Sequence, residues 1–105
     1  MRDVMDAIQT WRDEGKKVAL ATVVSAAGSA PRREGAKLVV SSDGEMVGSV
    51  SGGCVESDVI IQALDVLQEG QPRLLSYAIT DEMVWEVGLA CGGSIEVFVE
   101  PLAAT

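Results

Sequence analysis

Val4, Met5, Ile8 and Trp11 recur at helical spacing, and Gly15 stands where such a helix would stop. Lys16 and Lys17 follow and are expected in solvent. Val18 to Val24 is apolar, rich in β-branched residues and without alternation, which predicts a strand buried on both faces. Ser25 to Gly35 has no period and reads as a loop. Ala36 to Val40 and Glu45 to Val50 flank Ser41-Ser42-Asp43-Gly44. Asp-Gly between two strand-like runs predicts an antiparallel hairpin, because the turn needs the positive φ that these residues tolerate.

Ser51-Gly52-Gly53-Cys54 leads into a second helical pattern. Val55, Val59, Ala63, Val66 and Leu67 recur at three and four, Ile60 and Leu64 widen the stripe, and Gly70 and Pro72 end it. Leu74 to Ile79 is a further strand, and Thr80 to Gly88 reads either as a loop or as a short helical turn capped by Thr80-Asp81-Glu82 and carrying Met83, Val84 and Val87. From Ser94 to Glu100 the chain alternates, with Ile95, Val97 and Val99 on one face and Glu96, Phe98 and Glu100 on the other. That predicts a half-exposed strand stopped by Pro101. The pattern implies an α/β (α+β) domain: a mixed β-sheet with a central hairpin, packed by about two to three helices. The hairpin argues against a purely parallel, doubly wound sheet. At 105 residues there is material for one core, so residues 1–105 are expected to form a single domain.

Charge narrows the function. Sixteen acids against eight bases give a formal net charge of −8, which argues against a general polyanion binder. No apolar run approaches the roughly 20 residues of a spanning helix, and the N-terminus has no signal-peptide core. The expected compartment is the cytoplasm, where the two cysteines are thiols. There is no histidine, which removes the commonest general base, the histidine-dependent triads and the usual zinc sites.

Three glycine-rich stretches gather the remaining chemistry. The first, Gly28-Ser29-Ala30-Pro31-Arg32-Arg33-Glu34-Gly35, holds a basic pair in an acidic chain, suited to a small anion such as phosphate or equally to surface acids. Lys37 follows Gly35 and Ala36 at a spacing that does not fit a phosphate loop. The second, Gly48-Ser49-Val50-Ser51-Gly52-Gly53-Cys54-Val55-Glu56, joins a strand to a helix start, where backbone N–H groups point outward. The helix dipole favours a Cys54 thiolate, whereas Glu56 and Asp58 in the first turn already satisfy that dipole. The third, Gly88-Leu89-Ala90-Cys91-Gly92-Gly93, mirrors the second. Each of the two cysteines adjoins a Gly-Gly pair, so two soft sulfurs would face one pocket if the loops meet. On the residues alone, Cys54 and Cys91 stand between soft-metal ligands, reactive thiols, small core residues and a disulfide, the last disfavoured by the compartment.

Taken together and in order, these stretches, with the third running on through Ser94-Ile-Glu-Val-Phe-Val-Glu-Pro-Leu102, resemble the XdhC/CoxI family. Its members are accessory proteins of xanthine dehydrogenase and of carbon monoxide dehydrogenase-type molybdenum hydroxylases. The resemblance runs over nearly the whole chain. It implies a chaperone, not an enzyme in its own right, that binds the molybdenum cofactor, as molybdopterin or its cytosine dinucleotide form. Such a chaperone holds the cofactor during sulfuration and inserts it into the target. The implied partners are an apo molybdenum hydroxylase, a cysteine desulfurase and a second copy of the chain. Many members continue into a Rossmann-like domain. This chain stops at Thr105, and the expectation is either a stand-alone form or a split one that relies on a separate partner for that role. The Ser51-Gly52-Gly53-Cys54 loop, with two glycines rather than three, is similar to the CoxI branch.

On this reading Cys54 and Cys91 contact the metal or its sulfur end. Gly52, Gly53, Gly92 and Gly93 offer backbone to the cofactor, and Arg32, Arg33 and Ser29 assist at its phosphate. Two other classes compete: a cysteine-dependent sulfur (persulfide) carrier or transferase, and a non-catalytic oligomerisation module. The first lacks a histidine to activate its thiol. The second predicts that both cysteines resist labelling in the native state.

Overall fold

The computed structural model describes residues 2–27, 34–50, 55–78 and 94–102. Within them lie α1 (Arg2–Asp13), β1 (Val18–Ala27), β2 (Lys37–Ser41), β3 (Met46–Gly48), α2 (Glu56–Glu69), β4 (Arg73–Ala78) and β5 (Ser94–Pro101). The strands form one five-stranded sheet in the order β3-β2-β1-β5-β4, and each described pairing is antiparallel. The α+β class expected from the sequence is therefore found. Two expectations are corrected: the sheet is antiparallel at every described pairing and not mixed, and the hairpin lies at one edge and not at the centre, which is β1 flanked by β2 and β5.

Helices cover opposite faces. Val4 and Trp11 of α1 pack with Val18 and Val39, with Ile8, Leu20 and Leu102 around them. Met5 leaves this line and is 57% exposed, because it lies about 100° round the helix from Val4. The helix ends in a Schellman arrangement: Gly15 N–H donates to Arg12 O and Lys16 N–H to Trp11 O. On the other face, Val59, Ala63, Val66 and Leu67 of α2 pack on Ala19, Ala21 and Val23 of β1, Leu38 and Val40 of β2, and Ile95, Val97 and Val99 of β5. β1 is thus buried on both faces, as its unbroken apolar run predicts.

β1 runs three residues past that run. Val23 pairs with Val97 and Ser25 with Glu96, which leaves Val24 as the extra residue of a bulge, 47% exposed. Ser25, Ala26 and Ala27 then pair with Glu96, Ile95 and Ser94. These small residues read locally as loop, but the partner strand supplies their ladder.

The hairpin has the register Leu38↔Gly48, Val39↔Val47 and Val40↔Met46. Gly44 takes φ +88°, as the Asp-Gly signal requires. Ser41 is fully buried, and its hydroxyl accepts the Asp43 and Glu45 N–H groups at 3.2 Å each. Lys16 is not free in solvent as its sequence position suggests. Its ammonium lies 2.8 Å from Glu45, 3.1 Å from Asp43 and 3.3 Å from Glu14, tying the end of α1 to the hairpin turn. At the start of β4, Arg73 donates to Gln62 and to Glu69 of α2.

Candidate functional site at one end of the sheet

Antiparallel pairing decides what meets at each sheet end. Ala27 closes β1 opposite Ser94, which opens β5, and Ser94 also pairs with Ala78, the last residue of β4. Lys37 opens β2 opposite Thr22, and Gly48 closes β3 opposite Leu38. Helix α2 starts at the same end, since Glu56 bonds to Ser49 and Val50 just beyond β3. The described flanks of all three glycine-rich stretches therefore converge on one rim. The opposite end carries the hairpin turn and the Lys16 cluster.

The named candidates Cys54, Cys91, Gly52, Gly53, Gly92, Gly93, Arg32, Arg33 and Ser29 lie outside the described residues, as does the helical turn expected from Thr80. The described part of the rim is firmly built. Gly35 N–H donates to Val23 O at 2.7 Å, Val23 N–H to Ala36 O at 2.9 Å, and Ser49 N–H to Lys37 O at 3.0 Å. The first and second stretches thus leave from a shared backbone network.

Gly48 has a structural duty. Its φ is +100°, and an added Cβ would collide with Lys37 O and stand 3.2 Å from Val4 Cγ2. Lys37 places an ammonium at this rim, 3.4 Å from Thr22 Oγ1. A cleft of about 450 Å³ opens between the start of α1 and the β2–β3 pair, lined by Lys37 and Ser49 but also by Asp3. Its charge is mixed. Another cleft, of about 500 Å³, lies at the far end beside Lys17 and Ser42, away from the three stretches. No group of three or more Asp, Glu, Cys or His that could hold a metal occurs among the described residues.

Sequence reasoning missed the residue that closes the second stretch. The Glu56 carboxylate is not spent on the helix dipole in solvent. It is 7% exposed, and it accepts the Ser49 hydroxyl at 2.7 Å and the Val50 N–H at 3.1 Å. The sign available in the sequence was Val55, an apolar residue at the N-cap position, which has no side-chain acceptor to hold the helix start. A second fastening was also missed. The Tyr77 hydroxyl donates to the Asp58 carboxylate at 2.6 Å, joining the end of β4 to the first turn of α2. Burial, and then Asp58, hold the Tyr77 proton well above the usual phenol range.

Similarities to known proteins bear on this geometry. The chain is 38% identical over 89 residues to the molybdenum cofactor insertion chaperone PaoD of Escherichia coli, covering 84% of this chain and 27% of PaoD. It is 33% identical over 90 residues to a probable xanthine dehydrogenase subunit of Bacillus subtilis, covering 84% of this chain and 27% of that one. It is 41% identical over 81 residues to the uncharacterized Escherichia coli protein YqeB, covering 77% of this chain and 15% of YqeB. The chain therefore spans between 15% and 27% of the length of these curated relatives. A crystal structure of a xanthine dehydrogenase from Bacillus halodurans superposes with a TM-score of 0.78 at 36% identity, covering 93% of this chain and 30% of that one. The profile of the XdhC and CoxI family matches residues 11–78, a span from Trp11 of α1 to the last residue of β4. With that match over more than half of its length, the chain belongs to the XdhC and CoxI family.

Proposed function

We propose that this domain holds a molybdenum cofactor and passes it to an apo molybdenum hydroxylase of the xanthine dehydrogenase or carbon monoxide dehydrogenase type. The observation that carries the reading is the convergence of the three glycine-rich flanks on one rim. The name of PaoD, an insertion chaperone for that cofactor, supports the direction.

The donor set suits such a guest. A dithiolene-bound metal brings most of its own ligands, so the protein need not supply three or four. Cys54 and Cys91 are the soft donors assigned to the metal end. Gly52, Gly53, Gly92 and Gly93 would offer close backbone, and Arg32, Arg33 and Ser29 would bind phosphate. Lys37 joins them on the strength of its place at the rim. When bound, the cofactor supplies the redox metal and its exchangeable sulfur. The chain's own part is retention, orientation and exclusion of water. Sulfuration by a cysteine desulfurase, pairing of two copies, a Rossmann-like partner and a cytoplasmic setting belong to the same proposal. No described helix is long and apolar enough to cross a membrane.

The test is anaerobic retention of pterin and molybdenum after desalting, by the wild type and by the Cys54→Ser and Cys91→Ser variants. Stoichiometric retention, lost in a cysteine variant that keeps its fold, is expected. Failure of well-folded wild type to retain either component would overturn the reading.

A further inference from the structure

One face of the sheet is only half covered. α2 packs on Val97 and Val99 of β5, and Phe98 between them belongs to the opposite face. On that opposite face α1 lies over β1, β2 and β3. The register sets out what remains. Phe98 pairs with Leu74 of β4 on one side and with Thr22 of β1 on the other, so the three form one row across adjacent strands. Neither Phe98 nor Leu74 packs into either core, and Leu74 is 54% exposed. A solvated sheet face is ordinarily polar, whereas here the middle row holds an aromatic ring beside a leucine.

Acids bracket that row. Glu96 and Glu100 stand two residues before and after Phe98, on the same side of β5. Glu96 accepts from the Ser76 hydroxyl of β4 at 3.3 Å, and Glu100 lies opposite Leu20. Lys37 reaches this face one strand beyond Thr22, with its ammonium 3.4 Å from the Thr22 hydroxyl. Arg73 of β4 turns the other way, to Gln62 and Glu69 of α2. The open half-face is therefore apolar along its middle row and negative at both ends of β5, in a chain of net charge −8.

Its dimensions fit one helix. From β1 to β4 is two strand spacings, ~10 Å, close to the diameter of a helix. Glu96 and Glu100 lie ~13 Å apart along the strand, and two residues eight apart on a helix are separated by ~12 Å. A second copy of the chain fits poorly, because stacking two such faces would set these acids against their own kind.

We infer that the β1–β5–β4 half of this face is a docking surface for an amphipathic helix of a partner protein, laid along β5 beside α1. Its apolar stripe covers Phe98 and Leu74, and Lys or Arg residues at its margins meet Glu96 and Glu100. Docking here requires no cofactor, so it stands or falls apart from the cofactor-binding reading.

The test uses the whole chain, labelled with nitrogen-15, and a capped peptide of about 14 Leu, Ala and Lys residues whose leucine stripe is edged by lysines about eight residues apart. Controls are the same peptide with Glu for Lys, and a shuffled peptide of equal charge with no stripe. At about 0.15 M salt the striped basic peptide is expected to bind saturably and to shift the amide signals of Thr22, Leu74, Phe98 and their neighbours. Leu74→Ser, at an exposed position outside both cores, should weaken binding about fivefold or more, and the pair Glu96→Gln and Glu100→Gln should do the same. The acidic and shuffled peptides should bind more weakly by at least as much. No saturable binding overturns the inference. So does equal binding of the shuffled peptide, which would reduce the effect to net charge, or a set of shifted amides on another face. Self-association of the free protein that Leu74→Ser abolishes would make a second copy the occupant, and overturns it as well.

Discussion

Gly48 and Lys37 face each other so closely that a methyl group on the glycine would meet the lysine's carbonyl oxygen. The glycine that opens the second motif is therefore demanded by the strand beside it. Gly48→Ala combines left-handed strain with a backbone collision and is expected to lower stability by about 2–4 kcal/mol in urea unfolding. Gly44→Ala is the control. It has the same sign of φ but nothing within 4 Å of the added carbon, so it should lose about 1 kcal/mol. Equal losses at the two sites would mean that β3 can move away from Lys37.

Glu56→Ala would leave the Ser49 hydroxyl and the buried Val50 N–H without this acceptor. A loss of about 1–3 kcal/mol is expected. Glu56→Gln keeps one acceptor oxygen and should recover part of it. Calorimetry of the two variants decides, and an alanine variant as stable as wild type would show that the carboxylate fastens nothing.

Tyr77 is the chain's single tyrosine, so its ionisation can be read directly in the ultraviolet. Burial first, and Asp58 second, hold its proton above the ordinary value of 10.0. No tyrosinate signal is expected near pH 10 while the fold persists. The sign for stability follows from linkage. The contribution is complete below the unfolded pKa of about 10, and declines as pH rises above it, because the unfolded chain releases a proton that the folded one keeps. Tyr77→Phe should flatten that alkaline decline. Asp58→Asn should lower the folded pKa without returning it to the ordinary value, since burial is the larger cause.

Lys16 sits among Glu45, Asp43 and Glu14, which raise its pKa above the usual lysine range. The group is at the surface, so its contribution should be small and sensitive to salt. Lys16→Gln is expected to lower Tm in dilute buffer, with the difference closing near 1 M salt, where the screening length falls to about 3 Å. A difference that persists there would point to packing of the lysine stem.

Much of the fold was legible because burial leaves a local trace. Ile95, Val97 and Val99 alternate with Glu96, Phe98 and Glu100, and all three apolar residues are buried. Val59, Ala63 and Val66 mark the buried face of α2 in the same way. Strand order leaves no such trace. Nothing local to β5 says that it lies between β1 and β4, and nothing near Val24 announces a bulge that depends on a partner some seventy residues away. The hairpin was read correctly from Asp43 and Gly44, yet its place at the sheet edge was not, because position in a sheet is a non-local property. Of the candidate site, the sequence marked the glycine-rich stretches. Their shared rim emerged from the pairing of Ala27, Ser94 and Ala78, and the grip of Glu56 on Ser49 from burial.

The position of β5 also has a consequence in time. It is the last of the five strands to leave the ribosome, and it is hydrogen-bonded to both β1 and β4. Until it emerges, β4 has no neighbour in the sheet and one flank of β1 stands open. β1 lies far from β5 in sequence, so the entropic cost of closing that pair is met before the ladder rewards it, and this step should limit folding. Ser94, which completes the rim, arrives with that strand. A nascent chain that already carries Cys54 but not β5 therefore has no finished rim.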